Sequence, residues 1–184
     1  ARELDPLSLA VMTQAGNVLF YARRYDEAER SYRAALELDS EFQVARFKLM
    51  ELYQSQHRFD DALAELHLIR EGWTGISAAS VPGLQEALGS AGPKGYLEAM
   101  RRFGDVEGWD AFFHAAILAA LGRRDEAFAE LERGVDDGDW YLIRVAVSPH
   151  MDPLRDDPRF PALLRKLKLD HVQPAPLPAE ERCG

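Results

Sequence analysis

The amino-acid sequence predicts an all-α protein built from antiparallel helix pairs that repeat along the chain. Apolar residues recur at helical spacing through most of the 184 residues, and one short connector between helices recurs three times. A helix pair of this size cannot bury its apolar face alone. Successive pairs are therefore expected to pack on one another.

The connector gives the length of the repeat. Its copies read RRYDEA at residues 23–28, HRFDDA at 57–62 and GRRDEA at 122–127. The first two copies are 34 residues apart and the next two are 65 residues apart. Two regular repeats are therefore expected, followed by an irregular unit and a third recognisable repeat.

The first six residues resemble an internal segment at the same offset. Residues 1–6 read ARELDP and residues 35–40 read ALELDS. The chain is therefore expected to begin inside the closing helix of an earlier repeat, with residues 1–8 as the tail of that repeat. The chain is therefore expected to be a fragment of a longer protein.

The first repeat is predicted over residues 9–42 and the second over 43–74. Pro6 suits the opening of a helix, and a second helix is expected over about 25–38. The helices of the second repeat are expected over 44–56 and 59–70. Gly16 lies inside a predicted helix, where glycine costs roughly 1 kcal/mol relative to alanine. A close helix crossing would explain it.

The remainder of the chain is expected to be less regular. A degenerate helical pair is predicted over 75–107, with short helices at 81–88 and 94–103, and a third repeat over 108–137, with helices at 109–121 and 124–135.

Capping helices are predicted over 138–170. The apolar segment 139–147 should form a short, well-covered helix, and the pairs Asp152-Pro153 and Asp157-Pro158 should each start a helix. The last helix is expected to reach Leu169. The proline-rich residues 171–184 are predicted to be a disordered tail.

The repeating units resemble tetratricopeptide repeats, which have a 34-residue period, a bulky-x2-Leu-Gly-x2-Tyr first helix and an Ala-x3-Phe second helix. The matching positions are Met12, Ala15, Gly16, Leu19, Ala28, Tyr32 and Ala35, then Arg46, Leu49, Met50, Tyr53, Ala62 and Leu66, then Ala111, His114, Ala115, Leu118, Ala127 and Leu131. Arg46 and His114 depart from the pattern, because large apolar residues are usual there. The resemblance implies a right-handed α-solenoid with a concave groove.

The C-terminal half, from Gly95 through DPLRDDPRF at 152–160 to LLRKL at 163–167, resembles the end of bacterial multidomain regulators. In those proteins a repeat array follows a winged-helix DNA-binding, nucleotide cyclase or Ser/Thr kinase domain. The resemblance implies a sensor or interaction region whose effector domain lies upstream.

The composition of the chain limits which classes of partner and which cellular location we expect. The 22 basic against 31 acidic residues give a net charge of −9, which disfavours nucleic acid as a partner. There is no apolar run of about 18 to 20 residues and no secretory signal. The single cysteine, Cys183, cannot form an internal disulfide. A cytoplasmic location is expected, or a periplasmic one if an upstream anchor is missing.

The resemblance also implies which residues line the groove. The expected partner-binding residues are Thr13, Asn17, Phe20, Tyr21, Phe47, Glu51, Gln54, Trp109 and Phe112. Asn17 matches the asparagine that grips a peptide backbone or terminal carboxylate in chaperone-binding relatives. The other clamp positions, Thr13, Lys48, Trp109 and Phe113, mostly lack positive charge. An aromatic groove for an extended or helical peptide is therefore favoured over a carboxylate clamp, with simple packing against the irregular unit as the alternative.

No residue pattern indicates an enzyme, so no catalytic residue, metal or cofactor is predicted. The five histidines show no metal-ligand spacing, and helix capping accounts for Asp152 and Asp157. The segment 89–92 (GSAG) lacks the lysine and strand of a phosphate-binding loop. The favoured function is a non-catalytic scaffold that binds a peptide or protein. The alternative is self-association, with the chain as a homo-oligomer, or regulation of an upstream effector domain.

Overall fold

The computed structural model describes residues 6–69 and 80–176, and every regular element within these ranges is a helix. The α-helices are α1 (Pro6–Tyr21), α2 (Tyr25–Leu38), α3 (Gln43–Ser55), α4 (Phe59–Leu68), α5 (Val81–Glu107), α6 (Ala111–Ala120), α7 (Arg124–Asp137) and α8 (Arg159–Lys166). Two 3₁₀ helices, Trp140–Arg144 and Pro149–Leu154, lie between α7 and α8 in the chain. The all-α prediction is confirmed.

The chain divides into two compact units. The described part of the first unit comprises residues 6–69, 80–81 and 175–176, and the second comprises 82–174. In the first unit α1 packs on α2, α2 on α3 and α3 on α4. In the second, α6 packs on α7 and on both 3₁₀ helices, and α8 packs on α7. Each unit thus contains neighbouring helix pairs, as the repeated connector predicts.

The first helix pair has the close crossing that Gly16 predicts. A Cβ atom at Gly16 would lie 2.7 Å from Tyr32 Cδ1 and closer still to Cε1. The Tyr32 ring therefore occupies the space that any larger side chain on α1 would need. Ala28 and Ala35, one turn to either side of Tyr32 on α2, are fully buried. Ser31 Oγ also donates a hydrogen bond to the Met12 carbonyl oxygen at 2.8 Å.

The second helix pair accommodates the unusual Arg46 through an ion pair. Arg46 Nη1 lies 3.2 Å from Glu65 Oε2 on α4, and both side chains are largely buried. Arg46 Nη2 donates to the Ser40 carbonyl oxygen at 2.6 Å. Because the guanidinium is neutralised and hydrogen-bonded, arginine can replace the apolar residue usual at this position without leaving a buried charge unpaired.

The three connectors fold in the same way. The residue before the shared arginine has a positive φ in each copy, with 61° at Arg23, 59° at His57 and 75° at Gly122. The shared arginine then has nearly constant φ and ψ, with −90° and 64° at Arg24, −87° and 66° at Arg58, and −86° and 63° at Arg123. Each arginine pairs with the acid three residues later: Arg24 with Glu27 at 2.6 Å, Arg58 with Asp61 at 2.7 Å and Arg123 with Glu126 at 2.6 Å.

The irregular unit contains a sharper break than the sequence predicts. Helix α5 runs through residues 89–91, and its non-helical backbone is at Gly92, where φ is 63° and ψ is −157°, directly before Pro93. The predicted gap of several residues is therefore wrong. Gly89 and Ser90 tolerate helical geometry, and Ser90 Oγ donates to the Glu86 carbonyl oxygen at 2.8 Å.

The predicted helix over 139–147 is a 3₁₀ helix over Trp140–Arg144, and the expectation that it is well covered is wrong in part. Trp140 and Ile143 are 70% and 66% exposed, whereas Leu142 and Val145 are buried. A 3₁₀ helix has three residues per turn, so side chains three apart lie on one face. That face holds Trp140 and Ile143 here and points away from the core.

The two Asp-Pro pairs behave differently. Asp152 lies inside the 3₁₀ helix Pro149–Leu154 instead of starting a helix, and its Oδ1 accepts a hydrogen bond from Arg155 Nε at 2.6 Å. Asp157 acts as predicted, since its Oδ1 accepts from the Arg159 backbone N–H at 2.9 Å. Helix α8 ends at Lys166, before the expected Leu169, and buries Phe160 and Leu163.

Several predictions fall wholly or partly on residues that the structure does not describe. These are the tail of an earlier repeat at residues 1–5, the segment 70–79 and the end of the chain at 177–184. The repeat boundaries at 9–42, 43–74, 75–107, 108–137 and 138–170 stay predictions. In the described part of the chain, no helix combines the length and apolar character needed to cross a membrane.

Candidate functional site

Seven of the nine predicted partner-binding residues lie on α1 and α3, the first helices of the two pairs in the first unit. These two helices contact each other directly. Helix α1 carries Thr13, Asn17, Phe20 and Tyr21, and α3 carries Phe47, Glu51 and Gln54. The remaining two, Trp109 and Phe112, belong to the second unit. The first unit alone therefore brings most of the predicted set together.

Four of the nine side chains are buried: Thr13, Phe20, Glu51 and Phe112. Thr13 Oγ1 donates to the Leu9 carbonyl oxygen at 2.7 Å, so its hydroxyl is used within α1. Buried side chains support a surface but do not present one to a partner. The five that stay partly accessible are Asn17, Tyr21, Phe47, Gln54 and Trp109.

Asn17 is held in a fixed orientation by its own helix pair. Tyr32 OH donates a hydrogen bond to Asn17 Oδ1 at 2.9 Å, and Asn17 Nδ2 donates to Gln14 Oε1 at 3.3 Å. A carboxamide nitrogen has two hydrogens. The second hydrogen of Asn17 can therefore be donated to a peptide carbonyl, while its oxygen is already used by Tyr32.

Tyr21 ends α1 within a group of aromatic rings. The Tyr21 and Phe20 ring centroids are 5.5 Å apart, and Phe20 lies 6.1 Å from Tyr25 at the start of α2. These separations and tilted orientations are those that aromatic pairs favour. The buried Phe20 ring therefore packs against the partly accessible Tyr21 ring and helps to fix its position.

Phe47 on α3 lies beside a neutralised lysine. Lys48 Nζ is 5.3 Å from the centre of the Phe47 ring and donates to Glu51 Oε2 at 2.6 Å. Glu51 is buried, so it holds the lysine close and cancels its charge. Lys48 is consequently a poor ligand for a terminal carboxylate, which agrees with the expectation against a carboxylate clamp.

Sequence reasoning missed a polar cluster that joins α2 to α3. Tyr53 OH donates to Glu29 Oε1 at 2.9 Å, Arg33 Nη2 lies 2.6 Å from Tyr53 OH, and Arg58 Nη1 lies 2.9 Å from Glu29 Oε2. The Arg58 guanidinium also stacks 4.4 Å from the Tyr53 ring centre. Glu29 and Arg33 are four residues apart on one helix, which is the signal that could have revealed part of it.

This cluster shifts the pKa values of its members. Burial acts to raise the pKa of Glu29, but hydrogen bonds from Arg33, Tyr53 and Arg58 outweigh it and lower that pKa. Burial, followed by the hydrogen bond to Glu29, raises the pKa of the Tyr53 hydroxyl well above its usual value. Glu29 is therefore ionised and Tyr53 neutral at pH 7, and the cluster fixes the two helices together.

In the second unit, Phe112 lies near an arginine from the 3₁₀ helix Trp140–Arg144, and Trp109 packs against the neighbouring Phe113. The Arg144 guanidinium lies 4.6 Å from the centre of the buried Phe112 ring and 5.5 Å from that of Phe113. The Trp109 ring packs edge-on to Phe113 at 6.4 Å. Of the two predicted residues, Trp109 is partly exposed, whereas Phe112 contributes to the core instead of to a surface.

The unusual His114 lines a polar cleft of the second unit with Arg101, Asp105 and Glu126. Its Nδ1 lies 3.7 Å from Asp105 Oδ1, which is too long for a hydrogen bond. Within residues 6–69 and 80–176, no three or more His, Cys, Asp or Glu side chains are grouped so that they could hold a metal ion. These cleft residues can make polar contacts, but they do not form a hydrogen-bonded pair of nucleophile and base.

A comparison with known protein families found a helical-repeat family that matches most of the first unit. Residues 19–71 match the family model described as the tetratricopeptide repeat. The matched range contains α2, α3 and α4 together with the end of α1. No significant match to the chain was found among curated proteins or among solved structures.

Proposed function

We propose that the first unit, in which residues 19–71 match the tetratricopeptide-repeat family, binds a peptide or protein segment along α1 and α3. The family match over residues 19–71 supports a role in protein–protein interaction in general terms. The proposal adds the surface and the kind of ligand. It assigns no catalytic role to any residue.

One observation carries the proposal: partly accessible aromatic and carboxamide side chains lie on two helices that contact each other. Tyr21 and Asn17 are on α1, and Phe47 and Gln54 are on α3. A few residues contribute most of the binding energy at many protein interfaces, and tyrosine is enriched among them. Carboxamides can donate to and accept from a peptide backbone. The combination suits a short peptide that inserts apolar side chains between the helices.

The ligand class follows from the charges near the surface. Lys48 is already paired with Glu51, so a free C-terminal carboxylate gains little there. The chain has a net charge of −9, which favours peptides without a large negative charge. We therefore expect an extended or helical segment with exposed aromatic or aliphatic side chains and a neutral or basic character.

A selection experiment tests the surface. Peptides would be selected from a random library displayed on phage against the full chain, and their affinity measured by fluorescence anisotropy. The double variant Tyr21→Ala, Phe47→Ala should bind the selected peptides at least about tenfold more weakly, because each aromatic contact is worth about 1 kcal/mol or more.

The matched control is Arg30→Ala with Glu37→Ala, two exposed positions on α2. This variant should keep the affinity of the unmodified chain. Equal affinity of the Tyr21/Phe47 variant and the unmodified chain would show that the peptides bind elsewhere, and the proposed surface would be wrong.

A further inference from the structure

The polar cleft of the second unit has the size and the lining of a small-molecule site. Its volume is about 290 Å³, close to the lower end of the range of about 300–1,000 Å³ that such sites have. Helix α5 contributes Asp105 to the lining, α6 contributes His114 and Leu118, and α7 contributes Ala129 and Glu130. All of these residues belong to one compact unit, so three helices of that unit shape the cleft.

His114 is a buried polar side chain that lines this cleft and is only 9% exposed. Neither of its ring nitrogens has a hydrogen bond to any residue that the structure describes, since Nδ1 lies 3.7 Å from Asp105 Oδ1. Nε2 faces the backbone of α5, where a Cβ atom at Gly104 would lie 3.0 Å from it. Nδ1 is therefore the ring nitrogen on the Asp105 side. A buried polar group without a hydrogen bond is costly, so a ligand that bonds to Nδ1 gains stability there.

Two carboxylates of the lining each keep one oxygen available as an acceptor. Asp105 Oδ2 accepts from Arg101 Nη1 at 2.6 Å, and Glu130 Oε2 accepts from Arg133 Nη2 at 2.7 Å. Their second oxygens, Asp105 Oδ1 and Glu130 Oε1, accept no hydrogen bond from residues 6–69 or 80–176. The two arginines thus hold the carboxylates in place and leave one acceptor on α5 and another on α7.

The separation between His114 Nδ1 and Asp105 Oδ1 suits one donor nitrogen between them. A nitrogen with several hydrogens can lie about 2.9 Å from two acceptors that are 3.7 Å apart. An ammonium group has three such hydrogens and no acceptor, and the neutral imidazole accepts at Nδ1 when its hydrogen is on Nε2. The bond to Asp105 would be charge-assisted and therefore strong.

The charges of the lining favour a cation over an anion. The lining contains three acids, Asp105, Glu126 and Glu130, against one arginine, Arg101. The net charge of −9 on the chain also attracts cations. The apolar side chains of the lining can cover a short aliphatic chain.

We propose that this cleft binds a small aliphatic diamine. One ammonium group lies between His114 Nδ1 and Asp105 Oδ1, and the other donates to Glu130 Oε1. The methylene groups between them pack on Leu118 and Ala129. This site lies in the second unit and is independent of the peptide surface proposed on α1 and α3.

Isothermal titration calorimetry of the full chain in a buffer of low ionic strength tests the ligand class. The probes are diaminopropane, diaminobutane and diaminopentane with terminal amines, together with butylamine and butanediol. At least one diamine should bind saturably. Butylamine should bind at least about tenfold more weakly than that diamine, because it lacks the charged group that bonds to Glu130. Butanediol, which has no charge, should give no saturable binding.

Variants then locate the two ends of the ligand. Glu130→Gln should weaken diamine binding at least about tenfold and leave butylamine binding unchanged. His114→Leu should weaken the binding of both amines, and leucine is usual at this position, so the variant should fold. The matched control is Glu132→Gln on the same helix, which removes the same charge at a residue outside the cleft and should keep the affinity for diamines. Circular dichroism checks that each variant is folded.

Three results would overturn the proposal. No saturable binding of any diamine would show that the cleft holds only water, and equal binding of diaminobutane and butanediol would show that it does not select for charge. Equal weakening by Glu130→Gln and Glu132→Gln would show that amines bind through the overall charge of the chain. The Glu130 side chain is partly exposed, so Glu130→Gln keeps the test valid even where His114→Leu fails to fold. The affinity for peptides selected on the first unit should stay the same in all three variants, so the two proposals fail independently.

Discussion

At the scale of single residues, the size of the Tyr32 side chain determines which residue can occupy position 16. The tyrosine ring fills the space beside Gly16 and its hydroxyl orients Asn17. The equivalent pair in the second repeat is Met50 and Leu66, so a large first-helix residue there faces a smaller second-helix residue. The first repeat thus combines the smallest possible first-helix residue with a large aromatic ring, whereas the second repeat combines two side chains of intermediate size.

Gly16→Ala should therefore destabilise the protein by about 1–3 kcal/mol, although alanine is the better helix former. The added methyl group would collide with the Tyr32 ring and force it away from Asn17. The measurement is urea unfolding followed by circular dichroism.

Two further variants test that explanation. Gly89→Ala, where a Cβ atom meets nothing within 4 Å, should keep or raise stability. Adding Tyr32→Leu to Gly16→Ala should recover part of the loss, since leucine takes this position in the other repeats. A stable Gly16→Ala protein would show that the ring yields at little cost.

At the scale of the elements, the connecting turns show which parts of the structure follow from local sequence. The turns share an arginine, an acid three residues later and a preceding residue with positive φ. Glycine adopts positive φ without steric cost, and other residues do so at a cost of roughly 1–2 kcal/mol. The third copy has glycine at that position, whereas the first two have Arg23 and His57.

His57→Gly should consequently stabilise the protein by about 0.5–1 kcal/mol, because relief of strain exceeds the greater entropy of glycine in the unfolded chain. The reverse change, Gly122→His, should destabilise it by a similar amount. Thermal unfolding of both variants provides the comparison. Lower stability of His57→Gly would mean that the ring contact between His57 and Phe59, at 5.8 Å, matters more than the backbone.

Element boundaries were predictable where periodicity and connectors agree. The predicted bounds of α2 match the structure, because both of its ends are marked by sequence: the connector before Tyr25 and the Asp-Ser pair after Leu38. The segment 139–147 was mispredicted because its apolar composition suits both an α-helix and a 3₁₀ helix. The two differ in which residues face outward, and that choice depends on packing against α6.

The candidate site was only partly predictable for a similar reason. Helical spacing predicted the helices and the family resemblance supplied the groove positions on them, but neither separated accessible from buried side chains. The buried Glu51 is paired with Lys48, and the buried Phe20 contacts Tyr25 at the start of the next helix. These contacts join residues of different elements or depend on rotamers, and a periodic pattern contains neither kind of information.

At the scale of the whole molecule, ion pairs set how stability depends on pH. Hydrogen bonds from Arg24 and Arg123 lower the pKa of Glu27 and Glu126, and those from Arg159 lower the pKa of Asp157 to about 2. Glu29 is lowered as well. Burial raises the pKa of Asp110, which opposes the others.

A carboxyl group whose pKa is lower in the folded state stabilises the protein above its unfolded pKa of about 4. This stabilisation is lost as the pH falls through the folded pKa. The free energy of unfolding should therefore decrease between about pH 5 and pH 3.

Glu29→Gln isolates one contribution to this dependence. The variant should be about 1–2 kcal/mol less stable at pH 7, because it loses charged hydrogen bonds to Arg33 and Arg58. The difference from the unmodified chain should shrink as the pH approaches 3. Glu37→Gln, at an exposed position on the same helix, should give a curve parallel to that of the unmodified chain. A constant difference across this pH range would contradict the assignment.

The different side chains at these equivalent positions of the two helix pairs have a consequence for assembly. If α4 took the place of α2 against α1, Leu66 would face Gly16 and leave a cavity, and if α2 took the place of α4, Tyr32 would collide with Met50. Both mismatched hairpins are thus less stable than the native ones. Neighbouring repeats with similar sequences can therefore fold side by side without trading helices, within one chain or between two.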